Sequence, residues 1–127
     1  MTDTLNDKSI AVSNKIRGLS PSDALALIAE EFRGTAILST SFSWEDQAIA
    51  HMILSEKLPI KIFTLDTGRL FEETYYVWSR TNEKYETTID AYYPDRTLLE
   101  AFVTEKGPNS FYQSLENRKG CCYIRKV

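Results

Sequence analysis

The sequence predicts an α/β fold: a mostly parallel sheet flanked by helices, in one domain over residues 1–127 with a loosely ordered lead-in at 1–19. Two strand–polar loop–helix units follow one another, at 35–56 and 60–85. The apolar run at 60–65 is rich in β-branched and aromatic residues and stops abruptly at Asp66-Thr67-Gly68, as a strand does on entering a tight turn. Strand and helix patterns then alternate along the chain with no repeat, low-complexity tract or flexible linker between them. In open sheets of this class ligands bind outside the carboxyl ends of the strands, where helix N-termini favour anions.

Taken in order, residues 1–17 are polar, with scattered Leu5, Ile10, Val12 and Ile16. Ser20-Pro21-Ser22-Asp23 starts a helix over 21–32: a serine to cap it, proline at the first helical position, and an acid in the first turn. Leu25, Leu27, Ile28 and Phe32 are its apolar set, and Gly34 ends it. A strand at 35–38 precedes a helix at 45–56 with Ala48, Ile49, Met52 and Ile53 on one face. Leu58-Pro59 turns the chain into the strand at 60–65, and the helix at 71–85 spaces Phe71, Tyr75 and Trp78 for one buried side. A third strand is expected at 87–91, and a helix at 97–106 is closed by Gly107-Pro108. Residues 121–127 read as the first turns of a helix without a terminator, so the chain is expected to be truncated at its carboxyl end.

Composition narrows the function classes. With 43% apolar and 26% charged residues the chain is an ordinary soluble globular one. A net charge of −3 argues against general nucleic-acid or membrane affinity but leaves room for a small anionic substrate. The N-terminal MTDTLNDKSI has no charged start with an apolar core, which makes a cytoplasmic location the expectation. In a reducing compartment the adjacent Cys121 and Cys122 point to metal or redox chemistry rather than a structural disulfide. The only histidine, His51, reads as a packing residue, and no histidine acid–base mechanism is expected.

On the residues alone, Ser41 and Ser43 before a helix read as capping, Asp-Thr-Gly as turn punctuation, and a lone Cys-Cys as buried or incidental thiols. Together, however, STSFSWEDQ, LDTGRLFEETY and FYQSLENRKGCCYIRKV resemble in order and spacing the assimilatory sulfonucleotide reductases. They are most similar to the iron–sulfur branch that reduces adenosine 5′-phosphosulfate (APS), and the resemblance covers nearly everything after about residue 20. It implies an adenine-nucleotide α-hydrolase-like, PP-loop fold. Thr40, Ser41, Phe42, Ser43 and Asp46 then correspond to the modified PP-loop around the phosphosulfate. Ser43 stands where the family has glycine and bulky Trp44 follows, so a less open loop is expected. Leu65, Asp66, Thr67 and Gly68 correspond to the nucleoside turn, and Arg69 to the position that is aromatic in the cluster-free reductases of the 3′-phosphorylated nucleotide (PAPS). Arg125 and Lys126 match a basic pair near cluster and substrate, and Cys121 and Cys122 match half of the ligands of a [4Fe–4S] cluster.

The implied activity is reduction of APS to sulfite and AMP with electrons from thioredoxin or glutaredoxin, as in sulfate assimilation and cysteine biosynthesis. The family's second cysteine pair, a C-x-x-C, and its nucleophilic cysteine have no counterpart in these 127 residues, so no catalytic residue is assigned. The chain alone is therefore expected to be inactive and to hold no stable cluster, and exposed apolar surface favours a homo-oligomer. The alternatives are a PAPS reductase of the same fold and a non-catalytic adenine-nucleotide-binding fragment. An ATP-pyrophosphatase is more distant, because SFSWED lacks the glycines that chemistry needs.

Overall fold

A computed structural model describes residues 2–127, with side chains from residue 4 onward. The chain forms two compact units, one ending at Ile62 and the other Phe63–Val127. The three strands stand in one sheet in the order β1-β2-β3, with helices alongside, which is the α/β class expected. No helix among the described residues is long and apolar enough to cross a membrane.

In the first unit, α1 (Thr2–Ile16) buries Val12 and packs on α2 (Pro21–Glu31). Lys8 adds a cation over the Phe32 ring and a bond to the Glu31 carbonyl, and Lys15 pairs with Glu31 at 3.3 Å. The helix start is built as expected: Ser20 Oγ accepts from the Asp23 N–H at 3.1 Å, with Pro21 at the first helical position. Strand β1 (Ile37–Ser39) lies two residues later than expected, because Thr35 and Ala36 spend their N–H groups on the Phe32 carbonyl in the turn after α2. Helix α3 (Trp44–Ser55) buries Ala50 and Ile53, whereas Ala48 is exposed. His51 is a correction. It stands exposed with Ser55 Oγ 3.2 Å from its Nδ1, since a one-residue step around the helix takes it off the buried side.

Strand β2 (Lys61–Leu65) alternates strictly, with Ile62 and Thr64 buried and Lys61 and Leu65 exposed. In the second unit it pairs in parallel with β3 (Asp90–Tyr92), Phe63 opposite Asp90 and Leu65 opposite Tyr92, and the Phe63 and Tyr92 rings meet edge-on at 5.5 Å. The Ile89 N–H is held by the Asn82 side chain, so β3 begins later than the expected 87–91. Helix α4 (Glu72–Tyr85) corrects a second expectation: Phe71 is 79% exposed and precedes the helix, and its buried residue is Thr81. Tyr75 and Trp78 stack on each other at 6.4 Å instead of entering a core. Helix α5 (Arg96–Lys106) is capped by Asp95 and stopped by Gly107. A 3₁₀ turn (Ser110–Tyr112) leads into α6 (Leu115–Lys126), which packs on that turn and on α5.

Candidate functional site

The loop after β1 is ordered by its own hydroxyls and one acid. Ser43 caps α3, its Oγ accepting from the Asp46 N–H at 3.5 Å, and the Asp46 carboxylate accepts from both the N–H and the hydroxyl of Ser41 at 2.7 Å. Burial pushes the Asp46 carboxyl up, but the hydrogen bonds from Ser41 and Ser43 outweigh it and hold the carboxyl below its ordinary value of 3.8. Its folded value being depressed, Asp46 contributes stability that is present above pH 3.8 and is lost as pH falls through the folded value. Denaturant midpoints of an Asp46→Asn chain should therefore fall less steeply than those of the parent below pH 3.8.

Glycine is absent from this loop, and its left-handed position is Phe42, at φ 63° with the ring buried. The Phe42 N–H is bonded to Thr40 Oγ1 at 3.0 Å, and Thr40 is itself buried. Trp44, expected to make the loop less open, is 92% exposed, so its indole does not fill it.

In the second unit the turn after β2 is organised by Asp66. This buried carboxylate accepts from the Gly68 N–H and from the Tyr75 hydroxyl, both at 2.9 Å onto Oδ1. Burial raises the Tyr75 hydroxyl above its ordinary value of 10.0, and the bond to Asp66 and that group's charge raise it further. Gly68 sits at φ +78°, and a Cβ there would come within 3.3 Å of Arg125 Nη1. Gly68→Ala should cost about 1–2 kcal/mol from the left-handed backbone alone, read as a lower urea midpoint.

Helix α6 brings the rest of the site to this turn. It begins at Leu115, earlier than the residues expected to be helical, because Ser114 Oγ accepts from the Asn117 N–H at 3.0 Å and caps it. Cys121 is buried, Cys122 is exposed, and both are free thiols. They line a cavity of about 300 Å³ with Thr67, Arg69, Arg118, Arg125 and Lys126. Arg125 Nη1 donates to the Thr67 carbonyl at 2.5 Å, while its Nε is buried without a partner. Four cationic side chains and two thiols thus share one concavity with aromatic walls from Phe71, Phe111 and Tyr112.

Of the residues expected from sequence, Thr67, Arg69, Cys121, Cys122, Arg125 and Lys126 line this cavity together. Leu65, Asp66 and Gly68 do not line it, although Asp66 and Gly68 shape the turn that does. Thr40–Asp46 belongs to the other unit. Arg118 and Phe111 escaped the sequence reading. The signal for Arg118 was its spacing, four residues before Cys122, which puts both on one side of a helix.

The model of the phosphoadenosine phosphosulfate reductase domain matches residues 35–127. The chain belongs to this family. Relatives within it carry a narrower name. An adenosine 5′-phosphosulfate reductase of Sinorhizobium fredii (strain NBRC 101917 / NGR234) is 39% identical over 126 residues, covering 99% of this chain and 50% of that protein. The reductase of the same name from Rhizobium meliloti is 42% identical, over 91% of this chain and 43% of its own. That from Burkholderia cepacia is 41% identical, over 83% and 42%. This member of the phosphoadenosine phosphosulfate reductase domain family spans about half the length of the curated relatives it matches.

Proposed function

We propose that the chain serves the reduction of APS to sulfite and AMP, with thioredoxin or glutaredoxin supplying the electrons. The observation that carries this reading is the cavity holding two thiols and four cations beside the Asp66–Arg69 turn, in a chain whose relatives are named for that substrate. The sulfo and phosphate groups of APS are anionic, and cations in a partly enclosed site attract them more strongly than in open water. The turn offers backbone groups to adenine and ribose, and Arg125 carries a buried N–H that a ligand oxygen can satisfy. Thr40, Ser41, Phe42, Ser43 and Asp46 are proposed to form the loop around the phosphosulfate, Leu65–Arg69 the nucleoside side, and Arg125 and Lys126 the sulfo side. Two electrons from a dithiol suffice for the redox step, the dithiol becoming a disulfide as sulfite leaves.

The donor set bears on the cluster. Cys121 and Cys122 are consecutive on α6, so their side chains leave the helix about 100° apart and suit two different irons of one cluster. Among the described residues no group of three or more His, Cys, Asp and Glu converges. The residues present therefore fit half of a [4Fe–4S] site, whose remaining thiolates must be supplied from outside these 127 residues. When bound, the cluster supplies a fixed electrostatic centre beside the anionic substrate. Arg69, Arg118, Arg125 and Lys126 would offset the negative charge of such a cluster.

The chain by itself is proposed to bind nucleotide without turnover, in the cytoplasm. Incubation with APS, thioredoxin and a reducing system tests this: no sulfite should form, and sulfite at the rate of a full-length reductase would contradict it. The family's own description names PAPS, which keeps that nucleotide as a second reading. The same incubation with the two nucleotides, on chain joined to the remaining half of a relative, separates them.

A further inference from the structure

Arg69 sends its side chain away from its own turn. Its Nη1 donates to the Pro108 carbonyl at 2.7 Å and its Nη2 to Asn109 Oδ1 at 3.0 Å, across 39 and 40 residues of sequence. The guanidinium also lies 4.7 Å from the centroid of the Phe111 ring. Pro108 and Asn109 lead into the 3₁₀ turn on which α6 packs, and Phe111 lies within it. Arg118 of α6 donates back to the Phe111 carbonyl at 3.4 Å, and Arg125 of α6 runs the other way to Thr67. Arg125 therefore ties the Thr67–Arg69 turn to the cysteine-bearing helix directly, and Arg69 ties the same turn to the segment on which that helix packs.

We infer that Arg69 is a positioning residue for the cysteine pair, holding the Pro108–Phe111 segment so that α6 keeps Cys121 buried and Cys122 exposed. A planar fork with several N–H groups can bridge a carbonyl and a side-chain amide while stacking on a ring; a lysine ammonium cannot do all three. The inference rests on the proposed function only for the use made of the cysteines, and its test needs neither nucleotide nor turnover.

The test is the rate at which iodoacetamide alkylates each cysteine of the full chain, assigned by mass spectrometry of the peptide spanning both. The parent should show Cys122 reacting well ahead of Cys121. Losing hydrogen bonds to a charged group should speed Cys121 by about tenfold in Arg69→Ala while Cys122 changes little. Arg69→Lys should resemble the alanine variant, because the fork and not the charge does the holding. Asn109→Ala should raise the Cys121 rate in part, and should add little on top of Arg69→Ala. An unchanged ratio of the two rates in Arg69→Ala, or a parental ratio in Arg69→Lys, overturns the inference. If Arg69→Ala fails to fold, Asn109→Ala decides alone, a parental ratio there being the contradicting result.

Discussion

Replacing Asp66 with alanine is expected to lower the unfolding free energy by about 2–4 kcal/mol, the largest stability effect foreseen for a single residue of the site. Asp66 is 4% exposed, and its Oδ1 receives both the Gly68 N–H and the Tyr75 hydroxyl. Alanine removes both bonds at once and leaves two donors to find water or go unpaired in a partly buried place. Asparagine keeps an oxygen at the same place, so Asp66→Asn should lose about 1 kcal/mol, the difference between a charged and a neutral acceptor. Tyr75→Phe removes one donor and leaves Gly68 in place, which should put it between the parent and the alanine variant. Urea midpoints of the variants check the ranking. An alanine variant as stable as the parent would mean that the turn does not depend on this carboxylate.

Arg125→Ala is the second large effect, and it falls on ligand rather than fold. Arg125 bonds the Thr67 carbonyl and holds a buried Nε with no partner inside a cavity of four cations. Its loss should weaken binding of an adenylate by about ten- to a hundred-fold, the usual worth of a hydrogen bond to a charged group. Arg125→Lys should recover only part of this, since a point charge can replace the field but not the bond to Thr67 together with the free N–H. Calorimetric titration of APS into each variant reads the loss. Equal affinity in all three chains would remove Arg125 from the site.

Much of the fold could be read from short-range signals. Ser20-Pro21 announces the start of α2 and Gly107-Pro108 the end of α5 through chemistry local to a few residues, and the apolar run before Asp66 announces β2. What stayed hidden depends on contacts far apart in sequence. The start of α6 at Leu115 was masked because its first turns are polar and its cap, Ser114, follows an aromatic turn. The exposure of Phe71 and the stacking of Tyr75 on Trp78 could not be told from a buried face, because the spacing is the same for both.

The site shows the same division. Thr67, Arg69, Cys121, Cys122, Arg125 and Lys126 of the cavity lining were legible through motif resemblance, whereas the Arg69 bonds to Pro108 and Asn109 and the Arg125 bond to Thr67 bridge 39, 40 and 58 residues. No local pattern records such pairs. Phe42 in the left-handed region was missed for another reason: a bulky residue is rare there, and the sequence offers Ser43 and Trp44 as the apparent oddities.

The central claim is that the Asp66–Arg69 turn and the cationic cavity beside it bind a sulfonucleotide. Titration calorimetry of APS into the purified chain tests it most directly, with circular dichroism confirming that the chain is folded. The expected result is saturable binding of one APS per chain, tighter than AMP because the sulfo group meets the cavity cations, and weakened by Arg125→Ala. A folded chain that binds APS no more tightly than AMP, or shows no saturable binding of either, would contradict it.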